Sequence, residues 1–561
     1  MWNKIENYYW TLKYLKKSQL FYLLKNRLER GKKAKPAAVR PVGEPASLGL
    51  WMDGLDACPD YLRRFDTEEI LSGRVTLLYE SGCPGGNRWA HPSRSHLWNF
   101  NLHYLEFLVP LAAAYRREKE PRYYERFREY CRSWIRDNAD GTGDGWHPYT
   151  ISLRLTNLWI CLDGFGDVFR EDGQFAQELT DSMYAQYVHL RRHTERHLLG
   201  NHYLENLKAI LLGAVFFQEA ETYSRCKKKL RRELEEQILP DGVHYERSLM
   251  YHKLILEDLM RMAKAVRCPD EAFYKELLRI LKEMADAAWS LESGLGRTPL
   301  FNDAGDNVAK PLEHCLLAAL EAEFGICPQA EKRSAFPQAG YYCLENERIK
   351  ILLDAGEMAP AYMPGHGHCD GLSFELGLDQ RPFFVNSGTG QYQGELRSCF
   401  RSTAAHNTVV LGGEEQSVCW GEHRVGRRMR LVSGGCRGRW AAGSLVTCTG
   451  RHLSRRIGLR DHTVVIRDRA EGPAAAYLHL APEYEYEQSG PLVRVLNQKG
   501  EEMCRIRTGP KDRLRIFREG TICSYAPEFG RIRRIQVLQI AWEGKDAEHE
   551  IRIQFQKGGI I

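Results

Sequence analysis

The sequence predicts a multidomain protein in which a run of α-helices is followed by an antiparallel β-sandwich. Three observations predict it. The chain has 561 residues, and single hydrophobic cores rarely grow past about 250–300 residues, so two or three domains are expected. Between about residues 95 and 325 apolar side chains recur at intervals of three and four, the period of an amphipathic helix. From about residue 338 onward the interval becomes two, the period of a half-buried strand.

The helical period is carried by Leu102–Leu108, Tyr123–Tyr130, Tyr203–Leu212, Leu249–Ala265 and Ala272–Ala287. Turn signals at Asn138-Ala-Asp-Gly141, Pro240-Asp-Gly242 and Cys268-Pro-Asp270 separate them. Short connections between many helices predict hairpins stacked side by side or in a ring. Strands are predicted at Arg348–Leu353, Leu372–Leu378, Thr463–Ile466, Ile535–Ile540 and Ile551–Phe555, with glycine frequent between them. These make a sandwich of antiparallel sheets. The expected domains are 1–60, a basic, aromatic helical segment with a linker; 61–332, helical; and 333–561, the sandwich. Residues 5–29 read as an amphipathic helix that packs on its own domain or lies on a membrane or partner. The basic run Arg30-Gly-Lys-Lys-Ala-Lys35 reads as a solvated linker.

Composition narrows the class. With 43% hydrophobic and 27% charged residues the chain is that of a soluble protein. No stretch reaches the roughly 20 apolar residues of a membrane span. The first residues lack the apolar core and cleavage site of a secretion signal. Sixteen cysteines are scattered without a CxxC pair, which points to reduced, buried thiols and a cytoplasmic location. A net charge of +6 suits a polyanionic partner through long-range attraction, and no basic run is dense enough for a nucleic-acid arm. The 12 Trp and 27 Tyr fit either sugar stacking or a large core.

Four polar clusters interrupt the apolar pattern. Gly200-Asn-His-Tyr-Leu-Glu-Asn206 stands at the mouth of a helix. Asn201 is a natural N-cap there, but Asn201, His202 and Glu205 cluster on one first turn, and an Asn and a His at a helix N-terminus also suit a substrate carboxylate. Asp241-Gly-Val-His-Tyr-Glu-Arg-Ser-Leu-Met-Tyr-His252 leads into a helix carrying Tyr251 and His252. Both are competent proton-transfer groups, and either could equally be core. Pro364-Gly-His-Gly-His-Cys-Asp-Gly371 places His366 and His368 two apart before a strand. That spacing suits a metal site or an exposed loop. The fourth, Arg397-Ser-Cys-Phe-Arg-Ser-Thr-Ala-Ala-His-Asn-Thr-Val-Val410, puts His406 at a strand entrance.

Taken in order, these four motifs, with Trp146-His-Pro-Tyr-Thr-Ile-Ser-Leu-Arg154 upstream, make the chain resemble the heparinase II/III family of polysaccharide lyases over roughly residues 60–561. The resemblance implies an incomplete α/α toroid followed by an antiparallel β-sandwich. It implies cleavage of an acidic, uronate-containing polysaccharide by β-elimination. The opening segment resembles a subgroup associated with exopolysaccharide or capsule gene clusters.

The resemblance also implies roles. Asn201, with His202, would neutralise the uronate carboxylate, supported by Glu205. Tyr251 would be the general acid, and the base for one epimer if a neighbouring Arg or His cation lowers its pKa. His366 would be the other base. His252, Trp146 and Arg401 would contact substrate. His368 and His406 match metal ligands of zinc-binding members, and Asn386 stands where the third ligand is commonly Asp, so a structural zinc or calcium ion would be held weakly unless Asp370 compensates. Two rival readings are open: a glycoside hydrolase using carboxylates such as Glu205, Glu246 and Asp303, which the His/Tyr-rich motifs fit poorly, and a glycan-binding or assembly factor without turnover.

Overall fold

The computed structural model describes residues 2–29, 45–86, 89–543 and 548–557; the Arg30–Lys35 linker lies outside the described residues. The helical half is built from hairpins. Val109–Glu118 pairs with Pro121–Asp137, Gly200–Phe216 with Ala220–Gln237, and Leu249–Val266 with Glu271–Glu292. The helices Pro148–Phe165, Gly200–Phe216 and Leu249–Val266 are buried over most of their length and pack on one another as an inner row. The outer helices bury one stripe and turn their charged residues to solvent. Two concentric rows of this kind, left open on one side, are an incomplete α/α toroid. One predicted helical run is broken: Leu105 has a φ of 55°, so the helix His96–Tyr104 ends there and a separate turn, Glu106–Leu108, follows.

The second half is antiparallel. An eight-stranded sheet runs in the order 430–437, 440–446, 452–460, 463–470, 549–555, 502–507, 492–497, 484–489. A five-stranded sheet over 335–384 is joined to a four-stranded sheet by a bridge between Phe384 and Leu480. Phe374 and Leu376 from the five-stranded sheet and Ile457, Val464 and Ile553 from the eight-stranded sheet share one core, the arrangement that alternating inward residues produce. The buried Arg455–Asp468 pair (2.7 Å) also donates to the carbonyls of Leu372 and Asn407. It pins the loops after His368 and His406 to the sheet.

Two expectations are corrected. Residues 5–29 do not form one helix: Trp2–Lys13 and Lys17–Glu29 are separated at Tyr14–Lys16. Nor are all cysteines reduced. Cys58 and Cys315 form a disulfide with Cα atoms 6.0 Å apart, while fourteen remain free. These two residues are 257 positions apart and meet because the short helices Asp53–Asp56 and Pro59–Leu62 pack on the segment Leu312–Leu317.

Candidate active site

A cleft of about 580 Å³ opens between the toroid and the sandwich. The toroid lines it with Tyr104, His147, Asn201, His202, Glu205 and Tyr251; the sandwich adds His366, Tyr392 and His423.

Ser248 starts the helix that carries Tyr251. Its hydroxyl accepts from the Tyr251 amide at 3.5 Å and donates to the carbonyl of Asp303 at 2.7 Å. The Asp303 amide in turn donates to the His366 carbonyl at 3.0 Å. The three residues are thereby locked together through their backbones. Tyr251 Oη lies 3.2 Å from His366 Nδ1 and 2.7 Å from Tyr392 Oη. His366 Nδ1 lies 2.9 Å from Asp303 Oδ2. Asp303 is fully buried and also accepts from His368 Nε2 (2.8 Å), Thr389 Oγ1 (3.2 Å) and Arg397 Nη2 (2.8 Å).

Burial alone would raise the Asp303 pKa, but Arg397 and the two imidazole hydrogen bonds hold it well below the ordinary carboxylate range. An ionised Asp303 accepts a hydrogen bond from His366 Nδ1–H, so the network places the lone pair of the neutral His366 ring on Nε2. Tyr251 is shifted the other way. Burial first, then Tyr392 and the carboxylates Asp303 and Glu246, push its pKa well above 10. The condition under which Tyr251 would serve as a base, a cation that lowers its pKa, is therefore not met, and the shift favours the protonated phenol.

Gly200 opens the facing helix at φ +60°, where a Cβ would come within 2.1 Å of Met363 Sδ; only glycine permits this approach. The cap of that helix is Leu199, not Asn201. The Asn201 amide is satisfied by Glu246 Oε1 at 3.0 Å, an anion at a helix N-terminus. The Asn201 Oδ1 is buried and makes no hydrogen bond; as an acceptor it is open to a donor, and only the Nδ2 end of the side chain can donate to an anion. His202 Nδ1 lies 3.0 Å from Glu195 Oε1. Burial disfavours the His202 imidazolium, yet the Glu195 carboxylate, with Glu246 and Glu205 behind it, raises its pKa above 6.5. Glu205 lies deeper, where Lys208 Nζ bridges it (2.7 Å) and Asp258 (2.5 Å).

The expected metal ligands are only partly assembled. His368 Nε2 faces Asp303 and His406 Nδ1 donates to the Ser402 carbonyl at 2.8 Å. The remaining nitrogens, His368 Nδ1 and His406 Nε2, therefore face each other at 3.2 Å. Burial above all lowers both pKa values to about 4, so two neutral lone pairs converge as metal ligands would. Asn386 does not complete the set. Its Oδ1 accepts the Asn407 amide at 3.0 Å. Among the described residues no three His, Cys, Asp or Glu side chains gather as a metal site, so the donor set fits an ion only in part.

Three predicted contacts are corrected. His252 is fully buried between the His244 amide (3.2 Å) and the Met284 carbonyl (3.0 Å). As the residue next to Tyr251 it points about 100° away around the helix, off the cleft. Trp146 donates to the Asn138 carbonyl at 2.7 Å and packs on Trp134 and His189 behind the cleft. Arg401 is buried and clamps the Gly367 and Glu422 carbonyls, bracing the His366 loop from outside. Sequence reasoning missed Tyr392 and Glu195, and left Arg397 and Asp303 without these roles. Arg397 had a signal, an arginine heading a polar motif. Tyr392 and Glu195 had none.

This is a toroid–sandwich protein with a Tyr–His–Asp network at the domain junction and Asn201 and His202 lining the same cleft. The chain belongs to the heparinase II/III family: the family's N-terminal model matches residues 85–321 and its C-terminal model residues 328–556. A heparin-sulfate lyase of Bacteroides thetaiotaomicron is 24% identical over 413 residues, 64% of this chain and 58% of that protein. One of Pedobacter heparinus is 23% identical over 365 residues, 58% of this chain and 54% of that protein. The matches thus span little more than half of each relative. In fold, the crystal structure of heparinase III superposes with a TM-score of 0.68 at 18% identity, over 95% of this chain and 88% of that one.

Proposed function

We propose that this protein is a polysaccharide lyase that cleaves a uronate-containing acidic polysaccharide by β-elimination. The observation that carries this reading is the pairing of a proton-donating Tyr251 with an Asp303-oriented His366, across the cleft from Asn201 and His202. Three tasks match three groups. The Asn201 side-chain Nδ2–H and the His202 imidazolium take the uronate carboxylate, so that charge developing on it in the enolate is stabilised. His366 Nε2 removes the C5 proton. Tyr251 Oη protonates the departing O4, and its high pKa keeps that proton available.

The hydrolase reading needs two free carboxylates flanking a bond. Those at the cleft wall are tied to cations: Glu205 and Asp258 to Lys208, Glu257 to Lys310, Glu106 to Arg64. Asp303 and Glu246 are buried behind the wall. A divalent ion at His368 and His406 belongs to this proposal only as a brace; the chain's own side chains move every proton.

The test is ultraviolet absorbance during incubation with heparan sulfate, heparin, hyaluronan, chondroitin and alginate. A C4–C5 double bond absorbs and a hydrolysis product does not. A rise that Tyr251→Phe abolishes is the expected result. Chain shortening without absorbance would replace the proposal with hydrolysis, and binding without either would replace it with an assembly role.

A further inference from the structure

The two N-terminal helices are held to the body on one side only. On Trp2–Lys13, Asn7 lies against Gly426, Thr11 Oγ1 donates to the Val425 carbonyl at 3.0 Å, and Arg428 covers the Tyr14 ring just beyond. On Lys17–Glu29, Gln19 Nε2 donates to the Leu198 and Tyr362 carbonyls and Asn26 Nδ2 meets His197 Nδ1 at 3.1 Å. At ~100° per residue, positions 7, 11 and 14 share one face, as do 19, 22 and 26.

The opposite faces are apolar and uncovered. Ile5, Tyr9 and Leu12 form one stripe, each half exposed or more. Phe21, Leu24 and Leu28 form the other, at 61%, 65% and 80% exposure. Large apolar side chains aligned on two adjacent helices, rather than scattered singly, mark a contact surface. Its charge says what it contacts. Residues 2–29 hold six Lys and Arg against two Glu. Lys13, Lys17 and Arg27 are exposed on or beside the stripes. Apolar stripes bordered by cations fit the boundary between acyl chains and anionic headgroups; a second copy of this chain would bring the same positive charge and be repelled.

We propose that this helix pair docks the protein on an anionic lipid surface. The body-facing side of the same helix pair is tied to the cleft, because Gln19 holds the Leu198 carbonyl just before Asn201 and the Tyr362 carbonyl just before His366. The lipid would thus hold the cleft rim at the membrane face.

The test is cosedimentation of the full chain with vesicles of phosphatidylcholine alone or mixed with phosphatidylglycerol. Binding to the mixed vesicles, weakened by salt, is expected. The Phe21→Ser/Leu24→Ser/Leu28→Ser variant should bind about tenfold or more weakly, and Lys13→Glu/Lys17→Glu should also weaken it, both at an unchanged melting temperature. Absence of binding to the mixed vesicles at low salt overturns the proposal, as does binding that the substitutions leave unchanged. A wild-type dimer that the triple substitution dissociates would also overturn it, by making a second copy the occupant.

Discussion

His366 Nδ1 lies 2.9 Å from Asp303 Oδ2, and that contact decides which imidazole nitrogen carries the lone pair. The Asp303→Asn variant keeps the shape and loses the charge, so His366 can take the wrong tautomer. Its kcat should fall on the order of a hundredfold or more. It also leaves Arg397 buried without its anion, at a cost of about 3–5 kcal/mol. Kinetics measured below the variant's own melting temperature separate the two effects. An unchanged kcat there would remove Asp303 from the mechanism.

Tyr251→Phe removes one oxygen from a packed site. The ring remains among Met250, Leu300 and Ala304, so stability should change little. The kcat should fall about 10²–10⁴-fold with KM nearly constant, since the lost proton transfer belongs to the transition state. Steady-state absorbance assays give both parameters. A mutant defect confined to KM would make Tyr251 a binding residue.

The pH dependence should carry the signature of His202. Its folded pKa is raised above 6.5 by Glu195, so the imidazolium persists at and somewhat above that pH. The Glu195–His202 pair stabilises the fold fully below pH 6.5 and loses that contribution as pH rises through the raised value. KM for a uronate polymer should rise through the same window. In Glu195→Gln the rise should begin at lower pH; a KM profile that ignores this substitution would exclude the imidazolium from carboxylate binding.

Asn386→Asp tests the ion. The substitution supplies a carboxylate whose oxygen still accepts the amide of Asn407, the residue after His406. Metal analysis after dialysis against zinc should find more bound ion in the variant than in the wild-type chain. Equal occupancy would show that position 386 does not select for it.

His252→Leu should separate core from site. The loss of its hydrogen bonds to His244 and Met284 should cost about 1–3 kcal/mol of stability and leave KM unchanged. Denaturant unfolding and steady-state kinetics on one preparation measure both, and a raised KM would return His252 to the substrate.

The periods of the sequence determined the helical half, the β half and the place where one gives way to the other, because side-chain periodicity follows from local backbone geometry. The order of the four polar motifs was legible too, and the family resemblance it carries implied a shared site for Asn201, His202, Tyr251 and His366, which all line one cleft. What only the tertiary structure decided is which nitrogen or oxygen each group turns to its neighbours. His252 and Tyr251 are adjacent in sequence, yet helical geometry sends one into the core and the other into the cleft. Asp303 meets His366, His368 and Arg397 across 63, 65 and 94 positions, and no local period records such a meeting. Whether a cation or a carboxylate stands near Tyr251 lay outside the sequence for the same reason. A pKa depends on burial and on charges brought close by folding, and here the fold delivers burial and the carboxylates Asp303 and Glu246.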